Sequence, residues 1–344
     1  MMLFSSASLL LLGLQCVGGL LQNQPQQPLQ LQVQKQKQPF WRVELRFPED
    51  VSVDFKERHR KSRFYGIAPE ELSLSNRNIE PGLVTKDVVD SSINNCFLLH
   101  GVLSPDECEN IIRITEEIGF EQIETGVLNN NAWLTCILDE FAVERPLFER
   151  CRDHLPTIVE PSDAGTRYPR EVAGLNQRCR FYRYLNDNYE TFKPHRDDPN
   201  PGAGFVHTSG SEVDSRRFDW DADGERLSLL TFLLYLNDDF DGGETTFFLE
   251  DGRQVAVKPV QGSVLVFPQT AKRDESDAEL ERANANSPLH EGSRTRPKAG
   301  LGDGKTRTRS QSSLGRPKYA MRSDVLYGRM DDGAGWRFGE LEDP

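Results

Sequence analysis

An α+β domain, with two helices leading into an antiparallel barrel or sandwich, is the fold class this sequence predicts. Three observations carry it. Helical spacing of apolar residues is confined to two stretches before residue 160, the apolar runs after residue 178 are short or alternating in the manner of strands, and Gly and Pro bound those runs.

From the amino terminus, residues 3–20 form an apolar run ending in small residues, as in a secretory signal, although no Lys or Arg precedes it. Ser and Gln interrupt a run already short for a bilayer, which argues against a stable membrane span. Residues 1–20 are therefore expected to be a signal peptide for the secretory pathway, leading to the endoplasmic reticulum lumen, to the exterior, or into an organelle by a signal-led route. Residues 22–38 are Gln-rich and contain Pro, too poor in apolar groups to order themselves, and 39–91 show no clear period. Segment 21–91 is read as a linker and a poorly defined amino-terminal region.

Order sharpens at residues 96–103, which read as a short strand. Ser104, Pro105 and Glu107 then make a capping box with Pro at the first helical position. The helix runs to about Gly119 on a stripe of Cys108, Ile111, Ile112, Ile114 and Ile118. Val143, Leu147, Phe148, Cys151 and Leu155 predict a second helix over 141–155, ending before Pro156. Segment 92–174 is thus a helical support region. Strands follow at 179–185, 227–236, 245–249 and 263–267, within a core of 175–329 and ahead of a tail at 330–344. Residues 271–291 carry three basic and six acidic side chains, and 292–318 eight basic and one acidic, so about 271–314 reads as a charged insertion.

Composition bounds the partners. The chain has 344 residues and 37% hydrophobic composition, enough for a buried core. A net charge of −13 argues against nucleic acid as the main partner and suits a basic or neutral peptide better. The six cysteines form no CxxC pair, which removes zinc-ribbon and thioredoxin-like chemistry. Cys136 with Cys151, or Cys96 with Cys108, are open as disulfides in an oxidising compartment, and buried free thiols are the plainer reading. No oligomeric state is readable.

The chemistry gathers around His195-Arg196-Asp197. On extended backbone, side chains two apart project from one face and reach one ion. A third ligand must come from elsewhere, and His290 is the best candidate, because His207 sits in a Gly-rich stretch too close to the pair to lie on an opposing strand. Two imidazoles and a carboxylate leave coordination positions open, whose natural occupants are a bidentate oxo acid and dioxygen. Alone the tripeptide is a weak sign, since Asp197-Asp198-Pro199 also reads as a charged turn.

Four segments add context. They are residues 175–184 with Phe192-Lys193-Pro194-His195-Arg196-Asp197; residues 230–237 with Asp241-Gly242-Gly243-Glu244-Thr245; residues 257–268; and Leu289-His290-Glu291-Gly292. Together they resemble the 2-oxoglutarate/Fe(II)-dependent oxygenases of the prolyl 4-hydroxylase alpha-subunit type, from about Cys96 to Tyr327. The resemblance implies a double-stranded β-helix (jelly-roll) core with flanking amino-terminal helices. It implies Fe(II) on His195, Asp197 and His290, with 2-oxoglutarate, dioxygen and ascorbate. It further implies hydroxylation of a C–H bond in a protein or peptide substrate, first of all a peptidyl proline. Lys318 would hold the far carboxylate of 2-oxoglutarate, which would be costly to bury without a paired cation. Tyr184 or Tyr182 would donate a hydroxyl to it, and Thr231 would line the pocket.

Lys318 lies 28 residues after His290, so residues 293–314 are expected to loop out, and Arg294, Arg296 and Lys298 compete for its role. Lys318 is preferred because 318–327 reads as a strand, which holds a ligand better than a charged loop; Arg322, on the same strand, is second. Glu244 is read as fixing its turn, Trp133 and Trp220 as packing or channel residues, and His100 and His154 as structural. The competing functions are a non-catalytic jelly-roll binding module, a cupin-like metalloenzyme using another metal, and an oxygenase acting on another side chain or a small metabolite.

Overall fold

A computed structural model describes residues 40–43, 63–68, 72, 74, 83–122, 132–139, 141–160, 169–186, 191–200, 202–206, 217–220, 226–270, 287–298 and 315–330. The signal reading, His207 and the side chain of Trp220 lie outside them. Helix α1, Pro105–Ile118, begins as its sequence dictates: the Ser104 hydroxyl accepts from the Glu107 N–H while the Glu107 carboxylate accepts from the Ser104 N–H. Gly119, at φ 89°, closes it. Helix α2, Glu144–Cys151, is shorter than the expected 141–155. The Asp139 carboxylate accepts from the N–H groups of Ala142, Val143 and Glu144 and holds 141–143 as a turn, and a 3-10 turn, Arg152–His154, replaces the last helical turn. No described helix is long and apolar enough to cross a membrane.

The strands in chain order are β1 Phe40–Val43, β2 Phe64–Ile67, β3 Thr85–Val88, β4 Phe97–His100, β5 Glu121–Gln122, β6 Trp133–Leu138, β7 Ile158–Val159, β8 Arg170–Leu175, β9 Arg178–Tyr184 and β10 Phe192–His195. They continue as β11 Ala203–Val206, β12 Arg217–Trp220, β13 Arg226–Tyr235, β14 Phe240–Gly242, β15 Thr245–Phe248, β16 Gln254–Val257, β17 Val264–Pro268, β18 Leu289–Gly292, β19 Thr295–Pro297 and β20 Lys318–Arg329. Among the described residues a 12-stranded sheet runs β1-β2-β6-β9-β20-β13-β17-β4-β3, with β5 beside β6 and the β7–β8 pair beside β20. A four-stranded sheet runs β10-β18-β15-β16, and the short pairs β11–β12 and β14–β19 stand apart. The chain is a jelly-roll core with two supporting helices.

Side-chain alternation explains both faces of the large sheet. Cys179 and Phe181 of β9, Phe232 and Leu234 of β13, and Tyr319, Met321 and Val325 of β20 share one core with Cys108, Ile111 and Ile114 of α1 and Leu147 and Cys151 of α2. The intervening residues turn to the other face, where Tyr235, Leu265 and Phe267 pack with Phe247 of β15 and Val257 of β16. Two features depart from the sequence reading. Strands β1 and β2, from a stretch with no readable period, extend the large sheet through the parallel β2–β6 pairing. Thr295–Pro297, expected to loop out, pairs with Phe240–Gly242, because Gly242 and Gly243, at φ 76° and 72°, turn the chain back beside it.

The thiols of Cys96, Cys108, Cys136, Cys151 and Cys179 are free and buried, so neither pairing left open by the sequence is formed. Burial pushes the Cys108 thiol up to about 12. A thiol reagent is expected to leave all five unmodified in the native protein and to modify all five on unfolding. Rapid native labelling at any of these positions, read by peptide mass mapping, would contradict this packing.

Candidate functional site

His195 ends β10 and His290 lies on β18, and the two face each other as direct partners of the antiparallel pair, with ring centroids 4.4 Å apart. Asp197 lies two residues beyond the end of β10. β10 stops at His195 after an irregular register from Phe192, and the chain beyond it carries Asp197 inward to 3% exposure.

Backbone carbonyls set the imidazoles. His195 Nδ1 lies 2.7 Å from the Lys193 carbonyl and His290 Nδ1 3.1 Å from that of Pro288. A carbonyl only accepts, so each Nδ1 carries the hydrogen and each Nε2 keeps a lone pair. Those Nε2 atoms turn to Asp197, 3.4 Å from Oδ1 for His195 and 3.7 Å from Oδ2 for His290. Phe192 stacks on His195 at 3.6 Å between centroids, and Phe267 meets His290 edge-on at 4.6 Å. The three ligand atoms lie within 4.8 Å of one another, and His195 Nε2 is buried with no hydrogen-bond partner. A sequestered lone pair with no donor facing it, beside a second imidazole and a carboxylate, fits a divalent transition metal with open positions.

Charge around Asp197 is arranged to keep it ionised. Burial alone would push its carboxyl up, but the Arg322 guanidinium, whose Nη1 donates to Oδ1 at 2.5 Å, holds it well below the ordinary carboxylate range. The Thr231 hydroxyl donates to Oδ2 at 2.7 Å, and that hydroxyl in turn accepts from Gln269 Nε2 at 3.0 Å. Arg322 also reaches Asp324, which Arg180 contacts through both carboxylate oxygens at 3.1 and 3.0 Å. Burial pushes His290 down to about 4 against the pull of Asp197, leaving a neutral imidazole at pH 7. Thr231 and Arg322, expected beside an oxo acid, therefore line the cavity while their polar atoms support Asp197.

The second part of the site is cationic. Lys318 begins β20 opposite Tyr184, is 5% exposed, and donates from Nζ to the Gly243 carbonyl at 2.7 Å. Its ammonium sits over the rings of Tyr184 and Tyr235, at 5.3 and 5.7 Å from their centroids. The Tyr235 hydroxyl and Thr245 Oγ1 are hydrogen-bonded at 2.7 Å. Among the described residues Lys318 forms no ion pair; burial pushes it down to about 8, and the charge of Glu244 only partly opposes this. Arg294, Arg296 and Lys298, the competing cations, are exposed.

One cavity is lined by His195, Asp197, His290, Lys318, Tyr182, Tyr184, Thr231 and Arg322. Phe192, Leu233, Thr245, Phe267, Gly292 and Ala320 complete it, and sequence reasoning gave none of these six a place in the site. Period two would have found two of them: Leu233 shares a face of β13 with Thr231, and Ala320 lies between Lys318 and Arg322 on β20. The small Ala320 side chain leaves room between the two cations.

A dicarboxylate entering this cavity would pair with the ammonium form of Lys318. Its affinity is expected to be full below pH about 8 and to fall as pH rises through that value; a bound anion raises the pKa and moves the fall upward in the complex. Calorimetric titration of the metal-loaded protein on both sides of that pH checks it, and a flat profile would contradict it.

Residues 179–307 match the 2OG-Fe(II) oxygenase superfamily, a span that includes His195, Asp197 and His290 and ends before Lys318. No curated protein matches the chain. Among solved structures, the chain is similar to a viral collagen prolyl hydroxylase from Paramecium Bursaria Chlorella virus-1 in its 2OG complex, at 14% identity over 73% of this chain and 99% of that one, with a TM-score of 0.36. It is also similar to a Pseudomonas putida prolyl-4-hydroxylase, at 13% identity over 72% and 94% of the two chains, with a TM-score of 0.35. A Trichoplax adhaerens prolyl hydroxylase, in complex with a hypoxia inducible factor oxygen degradation domain peptide fragment, is similar at 14% identity over 62% and 74%, with a TM-score of 0.34.

Proposed function

We propose, from the premise that residues 179–307 belong to the 2OG-Fe(II) oxygenase superfamily, that this chain is a 2-oxoglutarate-dependent dioxygenase that hydroxylates a C–H bond of a peptidyl proline. The observation that carries the oxygenase reading is the cavity itself, which puts a His195, Asp197, His290 ligand set together with a buried ammonium that no described carboxylate neutralises. A cation buried in that way is costly unless an anion visits it. The proline reading rests on the sequence resemblance alone.

In this reading His195, Asp197 and His290 hold Fe(II), and bound iron supplies the site at which oxidative decarboxylation of 2-oxoglutarate by dioxygen drives insertion of one oxygen atom into a C–H bond. Lys318 pairs with the far carboxylate of the oxo acid, with the Tyr184 and Thr245 side chains beside it. Arg322 and Thr231 orient Asp197 and keep it ionised. Phe192 and Phe267 fix the imidazole planes. Ascorbate serves as an external reductant that keeps the iron reduced. The signal reading of residues 1–20 would direct this activity to the secretory pathway.

The test is conversion of 2-oxoglutarate to succinate with Fe(II), ascorbate and a panel of peptides with and without proline, read together with peptide mass. Succinate formed in step with one added oxygen atom on proline supports the reading in full. Stimulation only by proline-free peptides or small metabolites keeps the oxygenase and removes the proline. Metal binding with no 2-oxoglutarate turnover moves the chain to the cupin-like or binding-module class.

A further inference from the structure

We infer that Asn237 is a positioning residue for Lys318, its side-chain amide holding the backbone on either side of Lys318 along the β13 edge of β20 and so the aim of the ammonium into the cavity. The inference rests on the proposed role of Lys318. The β13–β20 ladder ends at the pair Tyr235 and Ala320, with one further backbone bond from the Leu236 N–H to the Tyr319 carbonyl at 3.0 Å. Beyond that point the Asn237 side chain continues the pairing. Its Oδ1 accepts from the Tyr319 N–H at 2.7 Å, and its Nδ2 donates to the Pro317 carbonyl at 2.8 Å. One amide therefore grips the backbone on both sides of Lys318.

The assignment of that amide is not ambiguous. The other Nδ2 hydrogen goes to Asp239 Oδ1 at 2.6 Å, so the nitrogen faces two acceptors and the oxygen faces a donor; a flipped amide would lose all three bonds. Asn237 is 1% exposed, and water cannot substitute for it cheaply.

A clamp is needed here because of what precedes it. β19 and β20 are separated by a long stretch of sequence, so no tight turn fixes where β20 begins. The β9 ladder, in which Lys318 pairs with Tyr184 and Tyr319 with Arg183, holds one edge of this stretch, and the Asn237 amide holds the other where the β13 ladder has ended. Other bonds hold the same stretch from outside: Arg316 donates to both carboxylate oxygens of Glu109 on α1, at 2.8 and 2.5 Å, and Asn186 Nδ2 donates to the Arg316 carbonyl at 2.9 Å. Neither contacts the residues directly flanking Lys318.

The experiment is a double-mutant cycle on the full chain loaded with Mn(II), with calorimetric affinities for the metal, for 2-oxoglutarate, and for pyruvate, which lacks the far carboxylate. The variants are Asn237→Ala and the isosteric Asn237→Asp, each alone and with Lys318→Ala. Asn237→Asp keeps the acceptor for the Tyr319 N–H but sets a carboxylate against the Pro317 carbonyl and Asp239, and it serves if the alanine variant does not fold. The expected result is about tenfold weaker 2-oxoglutarate binding, unchanged metal and pyruvate affinity, and no further loss when Lys318 is already Ala. Unchanged 2-oxoglutarate affinity overturns the inference, as does an equal loss in the Lys318→Ala background or a parallel fall in metal affinity. If Lys318→Ala alone leaves 2-oxoglutarate binding intact, the anchor role of Lys318 is what fails, and the inference falls with it.

Discussion

Asp197→Ala is expected to abolish metal binding and to destabilise the metal-free protein by about 3 kcal/mol. The two effects have different causes. Metal binding goes because the carboxylate is the one anionic donor among the three ligand residues. Stability goes because Arg322, with its side chain 11% exposed, would be left facing Asp324 alone, at 3.5 Å, and Asp324 already accepts from Arg180 at 3.1 and 3.0 Å and from Gln269 at 2.8 Å. An unpaired buried guanidinium is among the costlier defects a core can carry. Pairing the change with Arg322→Met should restore most of the stability, since an apolar side chain of similar length fills the space, without restoring metal binding. Denaturant unfolding in the presence of a chelator reads the first effect and metal calorimetry the second. A stable Asp197→Ala protein that still binds metal would mean that the buried charge ladder does not act as drawn here.

Lys318→Met is expected to weaken 2-oxoglutarate binding on the order of 100-fold, the scale of losing a buried charge-assisted contact, while leaving metal affinity in place. Its effect on the protein without co-substrate has the opposite sign. Lys318 is held at about 8 in the folded state, below its ordinary 10.5, so between those values the unfolded chain binds more protons and stability rises with pH. Below pH about 8 the full penalty of burying the ammonium is present. The methionine variant removes the penalty, so it should be more stable than the parent at neutral pH and should lose the rise in stability toward high pH. Saturating 2-oxoglutarate should stabilise the parent and not the variant. A variant that loses both stability and co-substrate affinity would instead mark Lys318 as a packing residue.

How much of this was legible in the sequence follows from which interactions are local. The capping box at Ser104 is a three-residue pattern, and helix α1 forms where that pattern predicts. The start of α2 depends on Asp139, which lies before the apolar stripe and shows no helical period of its own. Strands β9, β13 and β20 were readable because their alternation serves two different faces, one packed by helices and one lining the cavity. β1 and β2 were not, because their place is set by pairing with β6, far away in the chain. The same distinction holds in the site. His195, Asp197 and His290 were found by residue type and by resemblance, yet the carbonyls that orient the imidazoles and the Arg322, Asp324 and Arg180 ladder behind Asp197 arise from tertiary contacts with no local signature. Arg322 illustrates the limit: its strand position was apparent, but whether its guanidinium turned to an oxo acid or to Asp197 depended on a partner 125 residues away.

The central claim is that one cavity binds a metal through His195, Asp197 and His290 and a 2-oxo dicarboxylate through Lys318. Anaerobic titration of the Fe(II)-loaded protein with 2-oxoglutarate tests it most directly, because chelation of Fe(II) by a 2-oxo acid produces a weak visible absorption that needs both partners in place. The absorption is expected to appear in the parent protein, to be absent in Asp197→Ala, and in Lys318→Met to require far more 2-oxoglutarate to develop. Iron-loaded parent protein that develops no such absorption at saturating 2-oxoglutarate would contradict it.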